Sequence, residues 1–228
     1  MNKQGNTYTF LYSVVLVVVV AALLSIVSLS LQPRQNENRQ NEKRQNILSA
    51  IHISSTAANS AELFDKYIKE QFIINSKGDR IEGKAFDVNI EKQYNLPVEK
   101  RELPVFVANV DGATKYILPI YGAGLWGPIW GYISLDDNKD TVYGTFFDHQ
   151  GETPGLGAEI TTPEFNKEFR NKQIFSGNQL VGILVVKGGN ASGANEVDAI
   201  SGGTITSKGV ETCLLYTSDA ADDRISVD

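Results

Sequence analysis

The chain has 228 residues, 27 of them Asp or Glu against 21 Lys or Arg, for a formal net charge of −6. That length allows one sizeable domain plus an appendage, and the mild acidity argues against the basic face on which nucleic-acid binding depends. One Cys and two His build neither a disulfide framework nor a zinc cluster, so neither a metal site nor a nucleic-acid partner is expected.

From the N-terminus, Phe10 to Leu31 (FLYSVVLVVVVAALLSIVSLSL) contains no charge and no proline. The run is long enough for a helix across a hydrocarbon core of ~30 Å. A signal-peptide core would be shorter and end at a small-x-small site. Ser28-Leu29-Ser30 is a poor one, so residues 1–31 read as a retained transmembrane anchor. Lys3 precedes the run, whereas Arg34, Arg39, Lys43 and Arg44 follow it. The positive-inside rule alone would leave the large domain in the cytoplasm.

Gln32 to Asn46 (QPRQNENRQNEKRQN) is polar and low in complexity, which predicts a linker or solvated stalk. The main domain is expected over residues 47–212. Its entrance shows apolar residues at Ala61, Phe64, Ile68 and Phe72, with Asn59 and Glu62 in capping-box spacing, so the pattern predicts an amphipathic helix over 59–73. Strand patterns dominate from Ile81 onward. Leu103–Val110 and Lys115–Tyr121 flank Asp111-Gly112, a hairpin signal. Trp130–Leu135 and Thr141–Asp148 flank Asp136-Asp137-Asn138, a second hairpin. Thr162-Pro163 reads as an N-cap with proline at the first helical position, opening a short helix to about Phe169. Leu180 to Val186 has the length of one buried strand. Ser207 is expected to cap a last helix from Lys208. The fold class is α+β: a single N-terminal transmembrane helix, then a largely antiparallel sheet with peripheral helices.

The segment Cys213–Asp222 (CLLYTSDAAD) matches one translated frame of a common transposon-based sequencing adapter. Residues 213–228 are therefore expected to be a non-native tail, and no function is placed after Thr212.

No P-loop, HExxH or GxSxG is present, and no GxGxxG follows a strand. His149 is a candidate base, although a lone loop histidine is more often structural; His52, near the linker, is expected to do nothing. Three Gly-rich stretches stand beside predicted strands: GAGLWGPIWGY (122–132), HQGETPGLGAE (149–159) and VDAISGGTITSKGV (197–210). Glycine lets backbone approach a ligand closely, and Trp126 and Trp130 offer faces to a planar ring. Together the stretches point to one shared pocket. In the third, a strand-to-helix turn would aim amides at an anion. Only Lys187 and Lys208 would supply charge, so a phosphate held there without a covalent bond would be screened by salt.

DAISGGTITS resembles the flavinylation motif, roughly D-x-x-S/T-G-A-T, of FMN-binding domains in respiratory membrane complexes. Gly203 stands where that family usually has Ala. In the family a flavin transferase takes FMN from FAD and esterifies it to the closing threonine, which falls on Thr204 here, with Thr206 a competing hydroxyl. GLWGPIWGY, LDDNKDTVYG and ETPGLGAEI are similar to the C subunit of the sodium-translocating NADH:quinone oxidoreductases, and ETPGLG is shared with the G subunit of Rnf-type complexes. The resemblance runs from the anchor to Thr212.

It implies a covalently flavinylated electron-transfer subunit of an inner-membrane complex that couples NADH oxidation and quinone reduction to sodium export. Other subunits, a flavin transferase and membrane lipid would be its partners, and the domain would face the periplasm, against the charge count. Ser201, Gly202, Gly203 and Lys208 would shape or charge the phosphate end. Glu152, Thr153, Leu156 and Gly157 would line the isoalloxazine, with Trp126 packed near it. Asp198 would serve recognition by the transferase. An Rnf-type subunit, a membrane-anchored flavin reductase or redox sensor, and a surface protein without flavin are the alternatives.

Overall fold

The computed structural model describes residues 5–177 and 179–222. Lys3 and residues 223–228 of the expected tail lie outside them. The chain divides into two units, residues 1–43 and residues 44–228.

Helix α1 (Asn6–Ala50) carries the apolar run, which is long enough to cross a membrane. The polar stretch that follows is helical too, with Pro33 inside it. Its low complexity signals solvation rather than coil, and Gln, Glu, Arg and Lys are all good helix formers. The last turn of α1 belongs to the second unit, where Ile47, Leu48, Ala50 and then Ile51 are fully buried.

A six-stranded antiparallel sheet organises that unit. Its strands are β1 (Ile68–Ile74), β2 (Arg80–Ile81), β3 (Leu103–Val110), β4 (Ala113–Ala123), β5 (Pro128–Leu135) and β6 (Val142–His149), in the order β2-β1-β3-β4-β5-β6. Both predicted hairpins form. Asp111 (φ 52°) and Gly112 (φ 84°) make the two-residue turn between β3 and β4, a type of loop that needs left-handed backbone at both central positions. Strands alternate their side chains between two cores: Ile117 and Tyr132 join Phe64, Phe106 and the end of α1 on one face, whereas Leu118, Ile120, Ile129 and Ile133 join Phe147, Phe165 and Phe169 on the other.

Three local expectations need correction. The helix predicted over 59–73 is α2 (Ser60–Tyr67) running straight into β1. Ile68 and Phe72 fit helical spacing, but β1 pairs along β3 from Ile68 opposite Ala108 to Ile74 opposite Leu103, and that pairing overrides local preference. Asn59 does not close a capping box, because its Oδ1 accepts from Thr56 N–H and Oγ1–H instead. The single strand predicted over 180–186 is broken at Gly182 (φ 66°) into β8 (Gln179–Leu180), which pairs with β7 (Phe175–Ser176), and β9 (Leu184–Val186), which pairs in parallel with β10 (Glu196–Asp198).

Helix α4 (Pro163–Glu168) follows the short α3 (Ile90–Tyr94) in chain order and is capped as predicted, with Thr162 Oγ1 accepting from Phe165 N–H. Helix α5 (Thr204–Asp222) starts four residues earlier than expected. It also runs past Thr212: Val210, Cys213 and Leu214 share one buried helical face. Cys213 and Leu214, which follow Thr212, thus pack into the same core.

Candidate functional site

Three loops meet beside the β4–β5 end of the sheet. The first, Gly124–Gly127, is a tight turn closed by Gly124 N–H to Gly127 O at 2.8 Å. The second follows β6: His149 Nδ1 accepts Glu152 N–H at 3.2 Å, and the Thr153 carbonyl accepts from Leu156 N–H and Ala158 N–H. His149 is therefore a turn cap rather than an exposed base. The third loop joins β10 to α5. There Gly203 N–H bonds Ile200 O, while Ser207 Oγ donates to Gly203 O at 2.9 Å and accepts Ile200 N–H at 3.1 Å. Ser207 thus holds the turn shut from inside the first helical turn instead of capping it from outside.

One buried carboxylate ties the three loops together. Glu152, 5% exposed, accepts Trp126 N–H on Oε1 at 2.8 Å and the hydroxyl proton of Thr206 on Oε2 at 2.6 Å. Charge-assisted bonds of this kind are about twice as strong as neutral ones. Close packing forces a glycine at 157: a Cβ there would collide with Glu152 Oε2 and lie 2.6 Å from Thr206 Oγ1. Gly202 adopts φ 74°, which lets the chain turn sharply into α5.

Between the loops lies a cleft of about 260 Å3. Leu125, Trp126, Glu152, Thr153, Leu156, Gly157 and the run Gly202–Thr206 line it. Its rim is apolar and open, with Leu125, Trp126, Leu156 and Ile205 respectively 50, 69, 42 and 60% exposed. Its inner end is the N-terminus of α5. Ser207 N–H is the first helix amide with a backbone acceptor, so those of Thr204, Ile205 and Thr206 have none among the described residues. No Lys or Arg lines the cleft.

The two threonines differ. The Thr206 hydroxyl is buried and spent on Glu152, whereas Thr204 is half-buried on the cleft and its hydroxyl has no hydrogen-bond partner among the described residues.

Of the residues singled out from sequence, Trp126, Glu152, Thr153, Leu156, Gly157, Gly202, Gly203 and Thr204 come together here. Asp198, Ser201, Lys208 and Trp130 do not line the cleft. Asp198 Oδ1 accepts Ala191 N–H within the preceding loop, Ser201 sits exposed on the turn, and Lys208 pairs with Glu211 at 2.6 Å. Leu125 and Ile205 are lining residues that sequence reasoning misses. The available signal is a large apolar residue set among glycines and threonines, where no core could bury it.

A family model for the FMN-binding domain matches residues 124–216, a span that holds all three loops. The C subunit of the Na+-translocating NADH-quinone reductase of Vibrio vulnificus is 31% identical over 85% of this chain and 83% of that protein. The chain belongs to the C-subunit family of these reductases. The Haemophilus ducreyi C subunit is 29% identical over 94% of this chain and 90% of its own length. A crystal structure of the C subunit from Parabacteroides distasonis superposes with a TM-score of 0.82 at 44% identity, covering 87% of this chain and 98% of that one. Membership in this family carries the α+β fold and the place of the chain as one subunit of a larger enzyme.

Proposed function

We propose that this chain is the FMN-carrying electron-transfer subunit of a Na+-translocating NADH-quinone reductase, with the FMN phosphate esterified to Thr204. The observation that carries the attachment site is the contrast between two hydroxyls two residues apart: Thr206 is locked to Glu152, and Thr204 stands free at the amides that open α5.

The residues fit the group. Amides at a helix N-terminus complement a phosphate, and the open apolar rim suits a planar ring that is polar at one end. With no cation lining the cleft, a bond to Thr204 would hold the phosphate where ion pairing cannot. FMN supplies the redox chemistry when bound; the chain orients it. Trp126 and Leu156 flank the ring, Glu152 fixes the spacing of the loops, and Gly202 and Gly203 let backbone approach the phosphate.

In this reading residues 1–31 anchor the chain in the bacterial inner membrane, 32–46 form the stalk, and the domain faces the periplasm. The other subunits carry the NADH, quinone and sodium sites, since the apolar helix offers no polar path for an ion. A flavin transferase would modify the chain, with Asp198 part of what it recognises.

Intact mass of the full chain co-expressed with a flavin transferase tests the attachment. One FMN less water is expected on the wild type and on Thr206→Val, and nothing on Thr204→Val. An adduct that survives Thr204→Val, or none on the folded wild type, overturns it.

A further inference from the structure

A second cleft, of about 340 Å3, lies where the end of α1 meets β6 and α4, and the proposed electron-carrier role does not use it. Its walls carry His52, Lys167 and Arg170 together with the hydroxyls of Ser49 and Ser54. Neither Lys167 nor Arg170 has an ion pair among the described residues, and no carboxylate lines the cleft. The cleft thus gathers cations without any anion in a chain of net charge −6.

The centre of this cleft is tightly built. His52 leaves α1 in left-handed backbone (φ 62°), a strained choice for a non-glycine residue. Its Nε2–H donates to Tyr143 O at 3.0 Å, and Nδ1 accepts from Arg170 Nη2 at 3.1 Å. Gly144 makes room for the ring: a Cβ there would sit 2.5 Å from His52 Cε1 and 2.6 Å from Ala50 O. Ser134 Oγ, on the neighbouring strand β5, donates to Ala50 O at 2.6 Å and so ties the end of α1 to the sheet. The imidazole is thus held in one tautomer, and it orients a guanidinium whose other N–H groups have no acceptor among the described residues.

We infer that this cleft is a phosphate-binding site, in which Arg170 and Lys167 clamp the oxygens and the hydroxyls of Ser49 and Ser54 complete the shell. Arg presents a planar fork suited to two phosphate oxygens, and Lys adds a point charge. Protonation of His52 converts Nδ1 from acceptor to donor, so it can no longer receive Arg170 and needs an anion between them. Desolvation, partly offset by the bond to Tyr143 O and reinforced by Arg170, lowers the proton affinity of this imidazole. A bound phosphate reverses that preference, so binding tightens as the pH falls. The groups that act on His52 are Tyr143 on β6 and Arg170, just past the end of α4; Lys167 lines the same cleft, whereas Glu164 and Glu168, on α4, lie outside the lining. The phosphate can be inorganic or the headgroup of a lipid.

The test is calorimetric titration of the full chain in neutral detergent with inorganic phosphate, and with sulfate, whose charge does not change over the range, at pH 5.5 and 8. Saturable binding is expected for both, weakened at least tenfold by Arg170→Gln and by Lys167→Gln. Sulfate should bind more tightly at pH 5.5. His52→Gln keeps a donor for Tyr143 O and an acceptor for Arg170, so it should bind at pH 8 but lose the pH dependence. Competition by short-chain phosphatidylglycerol assigns the site to a lipid headgroup, and its absence to free phosphate. Lys167 and Arg170 are both exposed, so the Arg170→Gln/Lys167→Gln double variant should fold as the wild type does. Equal binding by the two overturns the inference, and so does no saturable binding at either pH. Neither result bears on flavin attachment at Thr204.

Discussion

Glu152 offers the sharpest test of how the cleft at the start of α5 is held. Its two bonds, to Trp126 N–H and Thr206 Oγ1–H, are both made to a buried carboxylate. Hydrogen bonds to charged groups contribute about 1.5–3 kcal/mol each. Glu152→Ala removes both and leaves two donors facing a small void, so about 3–5 kcal/mol of stability should be lost. Glu152→Gln is the discriminating partner. Its amide oxygen can accept Trp126 N–H, and its NH2 can donate to the Thr206 oxygen once that hydroxyl rotates. The loss should then be only about 1 kcal/mol on the same scale. Urea unfolding of the full chain in detergent, followed by tryptophan fluorescence, gives both values. Equal losses for the two variants, or a loss under about 1 kcal/mol for Glu152→Ala, would refute the clasp.

Other expectations follow from the same contacts. Releasing Thr206 gives a second acceptor: the Glu152→Ala/Thr204→Val chain should gain an FMN adduct at Thr206 that Thr204→Val lacks, as peptide mapping by mass would detect. Gly157→Ala should cost about 1–3 kcal/mol through overpacking against Glu152 and Thr206, read as a lower urea midpoint. Burial pushes the Cys213 thiol up to about 12, so maleimide at pH 8 should label it only once urea exposes the α5 face. Lowered proton affinity at His52 means the unfolded chain takes up a proton near pH 6.5 before the folded chain does. In phosphate-free buffer, stability should be complete above that pH and decline as the pH falls. The decline should be smaller in His52→Gln, measured as the thermal midpoint between pH 8 and 5.

Much of the domain is legible in local pattern. Asp111-Gly112 fixes one hairpin because left-handed backbone is cheap there, and Thr162-Pro163 fixes the start of α4. The errors occur where a long-range partner decides. Ile68 and Phe72 suit a helix or a strand equally, and β3 chooses for them. Ser207 has the composition of an N-cap, yet it turns inward to close the Ile200–Gly203 turn, and that moves the helix start onto Thr204. Three Gly-rich loops can be assigned to one pocket from their spacing beside strands. The division of labour inside the pocket cannot. Glu152 reads in sequence as a polar loop residue, and only the fold reveals that it binds Trp126 and Thr206 at once. His52 escapes a reading of the sequence for the same reason: its partners Tyr143 and Arg170 are 91 and 118 residues away.

These long-range ties bear on what the proposed attachment at Thr204 would require. A transferase that modifies a threonine needs a hydroxyl that it can reach on a loop whose shape survives the reaction. Thr204 satisfies the first condition, because it opens α5 on the cleft and its hydroxyl has no hydrogen-bond partner among the described residues. The second is met from behind, by residues that stay away from the Thr204 hydroxyl. Ser207 closes the turn, Glu152 joins it to the other two loops, and Val210, Cys213 and Leu214 seat α5 on the sheet. The absence of side chains at Gly202 and Gly203 follows from the same arrangement. Leu156 already lies 2.6 Å from where a Cβ of Gly202 would be and 3.1 Å from that of Gly203. The sequence SGGT therefore reads as a hydroxyl presented on backbone alone, with its rigidity supplied by residues as far back as Glu152.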